Sequence, residues 1–120
     1  MDAAISISGT PLVAGTDFEG NGPPLLLVHG DHDPTVHYAG STSSYLLAAP
    51  PKYLLTVLGG LHGDFLAGGT SPAKAIVART MVDFWNAYLK ADRPALARLA
   101  TDSTPGLTTI QAAPLPRLGG

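Results

Sequence analysis

The sequence predicts an α/β fold built on a doubly wound, mostly parallel sheet, and three observations carry that expectation. Two continuous apolar runs, Pro24-Leu25-Leu26-Leu27-Val28-His29 and Tyr53-Leu54-Leu55-Thr56-Val57-Leu58, are each closed by glycine. Runs of that length without polar alternation suit strands buried on both faces. Helical patterns lie between and after them, the order expected of strands joined by crossover helices. Finally, 45% of the residues are hydrophobic and only 13% charged, a balance that favours a sheet covered on both sides over a well-solvated module. At 120 residues, one core is the expectation.

The elements follow in chain order. Ala4 to Ser8 alternates Ile5 and Ile7 with small or polar residues, a short strand signal ended by Gly9-Thr10-Pro11. Leu12 to Pro23 contains Gly15, Asp17, Gly20, Asn21 and Gly22 and is expected to be a loop. The first long apolar strand stops at Gly30, and Ala39 to Ala49 is expected to form a short helix before Pro50-Pro51. The second long strand stops at Gly59-Gly60. A longer helix is expected from Pro72, a residue suited to the first helical position, with Ser71 as N-cap. Ile76, Val77, Met81, Phe84, Trp85 and Tyr88 recur at helical spacing as its buried face. Pro94 marks its exit, and Ala95 to Ala100 adds one or two turns.

Residues 1–101 are thus expected to form the domain, about three strands with flanking helices, and 102–120 an irregular Pro/Gly-rich tail. Two or three helices cover such a sheet incompletely. An exposed apolar face with unpaired edges is expected, and with it self-association or a completing partner.

Bulk properties narrow the function. The net charge of −2 and the lack of a basic run give no basis for nucleic-acid binding. Zero cysteines exclude disulfides, thiolate metal sites and cysteine nucleophiles. No apolar run approaches the roughly 18 residues of a membrane span. Met1-Asp2 leads straight into the first strand signal without a basic signal-peptide start. That early strand suggests a chain whose preceding part is missing, and the compartment stays open.

Ligands of open α/β sheets sit at the carboxyl ends of the strands. Here those ends carry His29-Gly30-Asp31-His32-Asp33-Pro34-Thr35-Val36 and Gly59-Gly60-Leu61-His62-Gly63-Asp64-Phe65. A carboxylate on one loop and an imidazole on the next can pair, the acid fixing the tautomer of the base and offsetting its charge once protonated. Each residue also has a plainer reading. Asp33 suits a turn before Pro34, and His62 suits an ordinary loop. Asp31 is expected to support the loop, Asp64 to hold the histidine loop's backbone, and His29, His32 and His37 to be structural or loop-exposed. Leu61 and Phe65 flank the histidine as candidate substrate-pocket residues. His29, Asp31, His32, Asp33, His37, His62 and Asp64 also make up a donor set for zinc or a dinuclear centre. Their spacing departs from the metallohydrolase pattern His-x-His-x-Asp-His.

The segment Pro-Leu-Leu-Leu-Val-His-Gly-Asp-His-Asp-Pro-Thr-Val resembles the α/β-hydrolase strand that ends in Gly-x-x-Asp and presents the triad acid. On that resemblance the acid is Asp33 and not Asp31. Gly59 to Phe65 is similar to the family's histidine loop, with His62 as base, and the helix carrying Phe84 and Trp85 resembles its final helix. Acid before base also follows the family's Ser…Asp…His order. The likeness covers roughly residues 3 to 100 and leans to the esterase, lipase and dienelactone-hydrolase-like branch.

The resemblance implies the C-terminal portion of an α/β-hydrolase, hydrolysing a small carboxylic ester or similar acyl bond through an acyl-serine, without cofactor or metal. No Gly-x-Ser-x-Gly occurs, however. Ser6 and Ser8 fall in the first strand, Ser41, Ser43 and Ser44 in a helix start, and Ser71 at a cap. The chain is therefore expected to supply acid and base only and to be inactive alone, as a truncated gene product or a short protein completed by another chain. Two alternatives come from other classes: a non-catalytic binding module or pseudoenzyme on the hydrolase half-fold, and a His/Asp metal-dependent hydrolase.

Overall fold

The computed structural model describes residues 3–7, 24–48, 51–61, 69 and 71–113. Among them a mixed sheet runs in the order β1 (Ala4–Ile7), β2 (Leu25–Gly30), β3 (Lys52–Val57) and β4 (Thr108–Ala113). The first three strands are parallel, and β4 is antiparallel to β3. Helix α1 (Tyr38–Leu47) lies between β2 and β3 in sequence, while α2 (Lys74–Leu89) and α3 (Arg93–Leu99) lie between β3 and β4. The loop expected over residues 12–23 is outside the described residues. No described helix is long and apolar enough to cross a membrane.

The period-two pleat sorts the two apolar runs onto two faces. Leu26 and Val28 of β2, with Tyr53, Leu55 and Val57 of β3, pack with Val77 and Phe84 of α2 and Leu99 of α3. Leu25, Leu27 and Leu54 point the other way, toward Ala48 and the half-buried Tyr38 and Tyr45 of α1. Register places Leu26 beside Tyr53 and His29 beside Thr56. His29 therefore shares the α1 face with Leu25 and Leu27.

Helix α2 covers its face with aromatic rings: Phe84 stands edge-on to Tyr53 and Trp85, and the Tyr53 and Tyr88 hydroxyls meet at 2.6 Å. Its expected face holds in part, since Val77 and Phe84 are buried while Ile76, Met81, Trp85 and Tyr88 are half-buried. Thr80, Asp83 and Ala87 are buried too, so the helix hides a polar stripe that apolar spacing does not reveal. Helix α1 is of another kind. Its sequence, YAGSTSSYLL, is poor in strong helix formers, and tertiary contact supplies what propensity lacks. Gly40, Ser41 and Ser44 are its buried residues, and their small size lets the helix approach the sheet closely.

Three expectations are corrected. The 102–120 tail is not irregular throughout: Thr108–Ala113 forms β4, paired with β3 from Lys52↔Ala113 to Val57↔Thr108. This Thr-rich stretch becomes a strand because β3 presents an otherwise open edge, so tertiary pairing overrides composition. Second, the expected exposed apolar face is absent over β2 and nearly all of β3, whose residues are buried apart from half-buried Lys52. Half-exposure is found instead in β1, which lies at the sheet edge. Third, α2 starts at Lys74, because Pro72 and Ala73 form a turn in which the Ser71 hydroxyl accepts the Ala73 N–H. Pro94 falls within the first turn of α3, capped by Asp92, where a missing N–H costs nothing.

Candidate active site at the carboxyl ends of β2 and β3

Because β2 and β3 pair in parallel from Leu25↔Lys52 to Gly30↔Val57, they end at the same level, and the two following loops emerge side by side. Hydrogen bonds tie those loops together. The Asp31 N–H donates to Val57 O at 3.2 Å, the His32 N–H to Gly60 O at 3.0 Å, and the Gly59 N–H to Asp31 Oδ1 at 2.7 Å. The two backbones also touch. A Cβ on Gly30 would lie 2.3 Å from Gly60 O, and one on Gly60 would lie 3.0 Å from Gly30 Cα. Glycine at both positions is thus what allows the acid loop and the histidine loop to meet. Gly59 adds a left-handed φ of +70° at the turn.

The chain leaves this junction through Gly60 and exposed Leu61 directly into His62. His62, Asp64 and Phe65 lie outside the described residues, and so does any pairing of Asp33 with His62.

Asp33 is held by its own turn. Its residue is 5% exposed, and Oδ1 accepts the N–H groups of Thr35 at 2.7 Å and Val36 at 2.9 Å. This is the Asx-type turn expected of an aspartate before proline. The other oxygen, Oδ2, lies 3.2 Å from His29 Nε2. One oxygen fixes the loop, and the carboxyl group is locked at the strand end.

His29 is fully buried and has partners on both ring nitrogens. Nε2 is 2.7 Å from the Val36 carbonyl and Nδ1 is 2.6 Å from Ser41 Oγ. A carbonyl only accepts, so Nε2 carries a proton; in the neutral ring the Ser41 hydroxyl donates into Nδ1. Ser41, His29 and Asp33 have the composition of a catalytic triad but not its accessibility. Ser41 is 3% exposed on the inner side of α1, where no substrate carbonyl can approach. A nucleophilic serine must stand open beside oxyanion donors. These side chains form instead a buried brace that ties α1, β2 and the 33–36 turn into one piece. Beside it, the Tyr38 and Thr56 hydroxyls meet at 2.6 Å.

The remaining candidates separate. Asp31 braces the neighbouring loop through Gly59 and lies 3.1 Å from Nδ1 of the largely exposed His32. His37 is exposed at the start of α1 and makes no side-chain cap. Among the described residues no three His, Cys, Asp or Glu side chains converge as a metal site. Ser41, Tyr38 and Thr56 are polar supports of this strand end that sequence reasoning missed. The available signal was the position of His29 in phase with Leu25 and Leu27, which buries it and obliges it to find partners. Compared with known proteins, the chain matches no family model and no curated protein.

Proposed function

We propose that the chain is the C-terminal part of a serine-type α/β-hydrolase acting on carboxylic esters or similar acyl bonds, with Asp33 as the triad acid and His62 as the base. The observation that carries this reading is the junction of the two strand ends. Asp33 is locked at the end of β2, and the chain that enters His62 is fastened to the same place by the Gly30–Gly60 contact and the Asp31–Gly59 hydrogen bond. In the proposed reaction His62 takes the proton of a serine as it attacks the acyl carbon, then returns a proton to the leaving alcohol. Asp33 orients the ring and offsets its charge. The Ser41–His29 brace keeps Asp33 from turning away.

The serine and its oxyanion donors belong to polypeptide beyond these residues, since no Gly-x-Ser-x-Gly turn occurs here and Ser41 and Ser44 are buried. The test is genetic and then kinetic. An in-frame Gly-x-Ser-x-Gly segment is expected in the DNA upstream of Met1. With a short-chain p-nitrophenyl ester, the 120-residue chain is expected to give no turnover. In the longer protein, Asp33→Ala or His62→Ala should each lower kcat by roughly a thousandfold or more. Absence of the upstream motif removes truncation as the explanation and leaves completion by another chain; full turnover in either variant overturns the proposal.

A further inference from the structure

Away from the strand ends, two carboxyl groups are buried together where the proposed chemistry has no use for them. Asp83, on α2, is 3% exposed. Asp102, 6% exposed, begins the segment that leads from α3 into β4. Arg98 grips Asp83 Oδ1 with Nη2 at 2.9 Å and Nε at 3.3 Å, whereas Asp102 Oδ1 has the looser Arg79 Nε at 3.8 Å. Oδ2 of each residue is buried and, among the described residues, receives no donor. Two charged carboxylates left in that state combine like-charge repulsion with uncompensated desolvation. A single proton resolves both problems, because it removes one charge and turns one acceptor into a donor for the other.

We propose that Asp83 and Asp102 form a shared-proton latch that fastens the β4 segment to α2 while protonated and loosens it when the proton leaves. Burial first, then the hydrogen bond to Asp83 and its charge, push the Asp102 carboxyl up to about 6, against the opposing pull of Arg79 and Arg98. Arg98 holds Asp83 the more tightly, so the proton resides on Asp102. Helix α2 presents Arg79 and Asp83 to the pair. Helix α3 presents Arg98, with Asp92 at its cap, and β4 carries no titratable side chain. Asp102 is well placed to control β4. The next residue, Ser103, accepts the Ile110 N–H through Oγ at 3.0 Å, and Thr104 bridges to Thr108.

The sign follows from linkage. The unfolded carboxyl releases its proton near the ordinary 3.8 and the folded one near 6, so folding takes up a proton between those values. Stability is full below about pH 4, falls as the pH rises to about 6, and levels off above. From pH 5 to 7.5 the folding equilibrium constant should fall roughly tenfold from this group.

Urea unfolding of the full chain at pH 5, 6 and 7.5, wild type against Asp102→Asn, tests the latch. The amide of the substituted side chain donates to Asp83 at every pH, so the variant should lose that tenfold decline. All other side chains are the same in the two proteins, so the comparison isolates position 102. Amide exchange in β4, corrected for its intrinsic pH dependence, should quicken above pH 6 in wild type alone. An equal decline in both proteins, or β4 protection that does not change, overturns the proposal. Should the variant not fold, carbon NMR of the wild-type aspartates decides. One carboxyl titrating near 6 supports the latch, and all titrating below 5 overturns it. None of these readouts depends on hydrolase activity.

Discussion

The two faces of the sheet are built on different principles. The face under α2 is closed by apolar and aromatic side chains, with Tyr53, Leu55, Val57, Val77 and Phe84 in one cluster. Toward the strand ends, the face under α1 is closed by directed polar contacts: His29 with Ser41 and Asp33, and Tyr38 with Thr56. Apolar burial is non-directional and supplies most of the stability. Hydrogen bonds contribute less but fix orientation. One face holds the sheet together, and the other sets where Asp33 sits.

Three experiments sharpen that contrast, in order of expected size. Phe84→Ala should cost about 3–5 kcal/mol in urea unfolding, because a fully buried ring touching Tyr53, Trp85 and Tyr88 leaves a cavity. A loss below that of any substitution on the α1 face would break the comparison. Gly30→Ala should cost about 1–3 kcal/mol, since its Cβ meets the backbone of Gly60 and not a movable side chain. Backbone amide shifts should spread to residues 59–61, and unchanged stability and shifts would show that the loops are not in contact. Smallest is the coupling between His29→Ala and Ser41→Ala in a double-mutant cycle, expected at roughly 1 kcal/mol. Strict additivity would mean that the brace acts as two independent contacts.

Legibility followed the same division. The apolar runs of β2 and β3, and the helix containing Phe84, were plain in the sequence, because burial on both faces leaves a continuous hydrophobic record. Asp33 and the chain leading into His62 were placed at neighbouring strand ends by the same logic. Strand β4 was missed, because Thr-Thr-Ile-Gln-Ala-Ala after a Pro- and Gly-bearing stretch has little pattern of its own. Asp83 was missed for a related reason. On α2 it stands among apolar residues at helical spacing, and nothing local says that a carboxyl from beyond α3 will come to lie against it.

By itself the sequence determined the α/β class, the two central strands, their glycine-terminated ends and the place of Asp33 after the first of them. Composition, periodicity and turn chemistry are local properties and are written residue by residue. Only the tertiary structure decided that Gly30 and Gly60 touch, that His29 braces Asp33 through α1, that β4 closes the edge of β3, and that Asp83 meets Asp102. Each of these joins residues distant in sequence through close approach or a hydrogen bond, and such pairings exist only once the chain has packed.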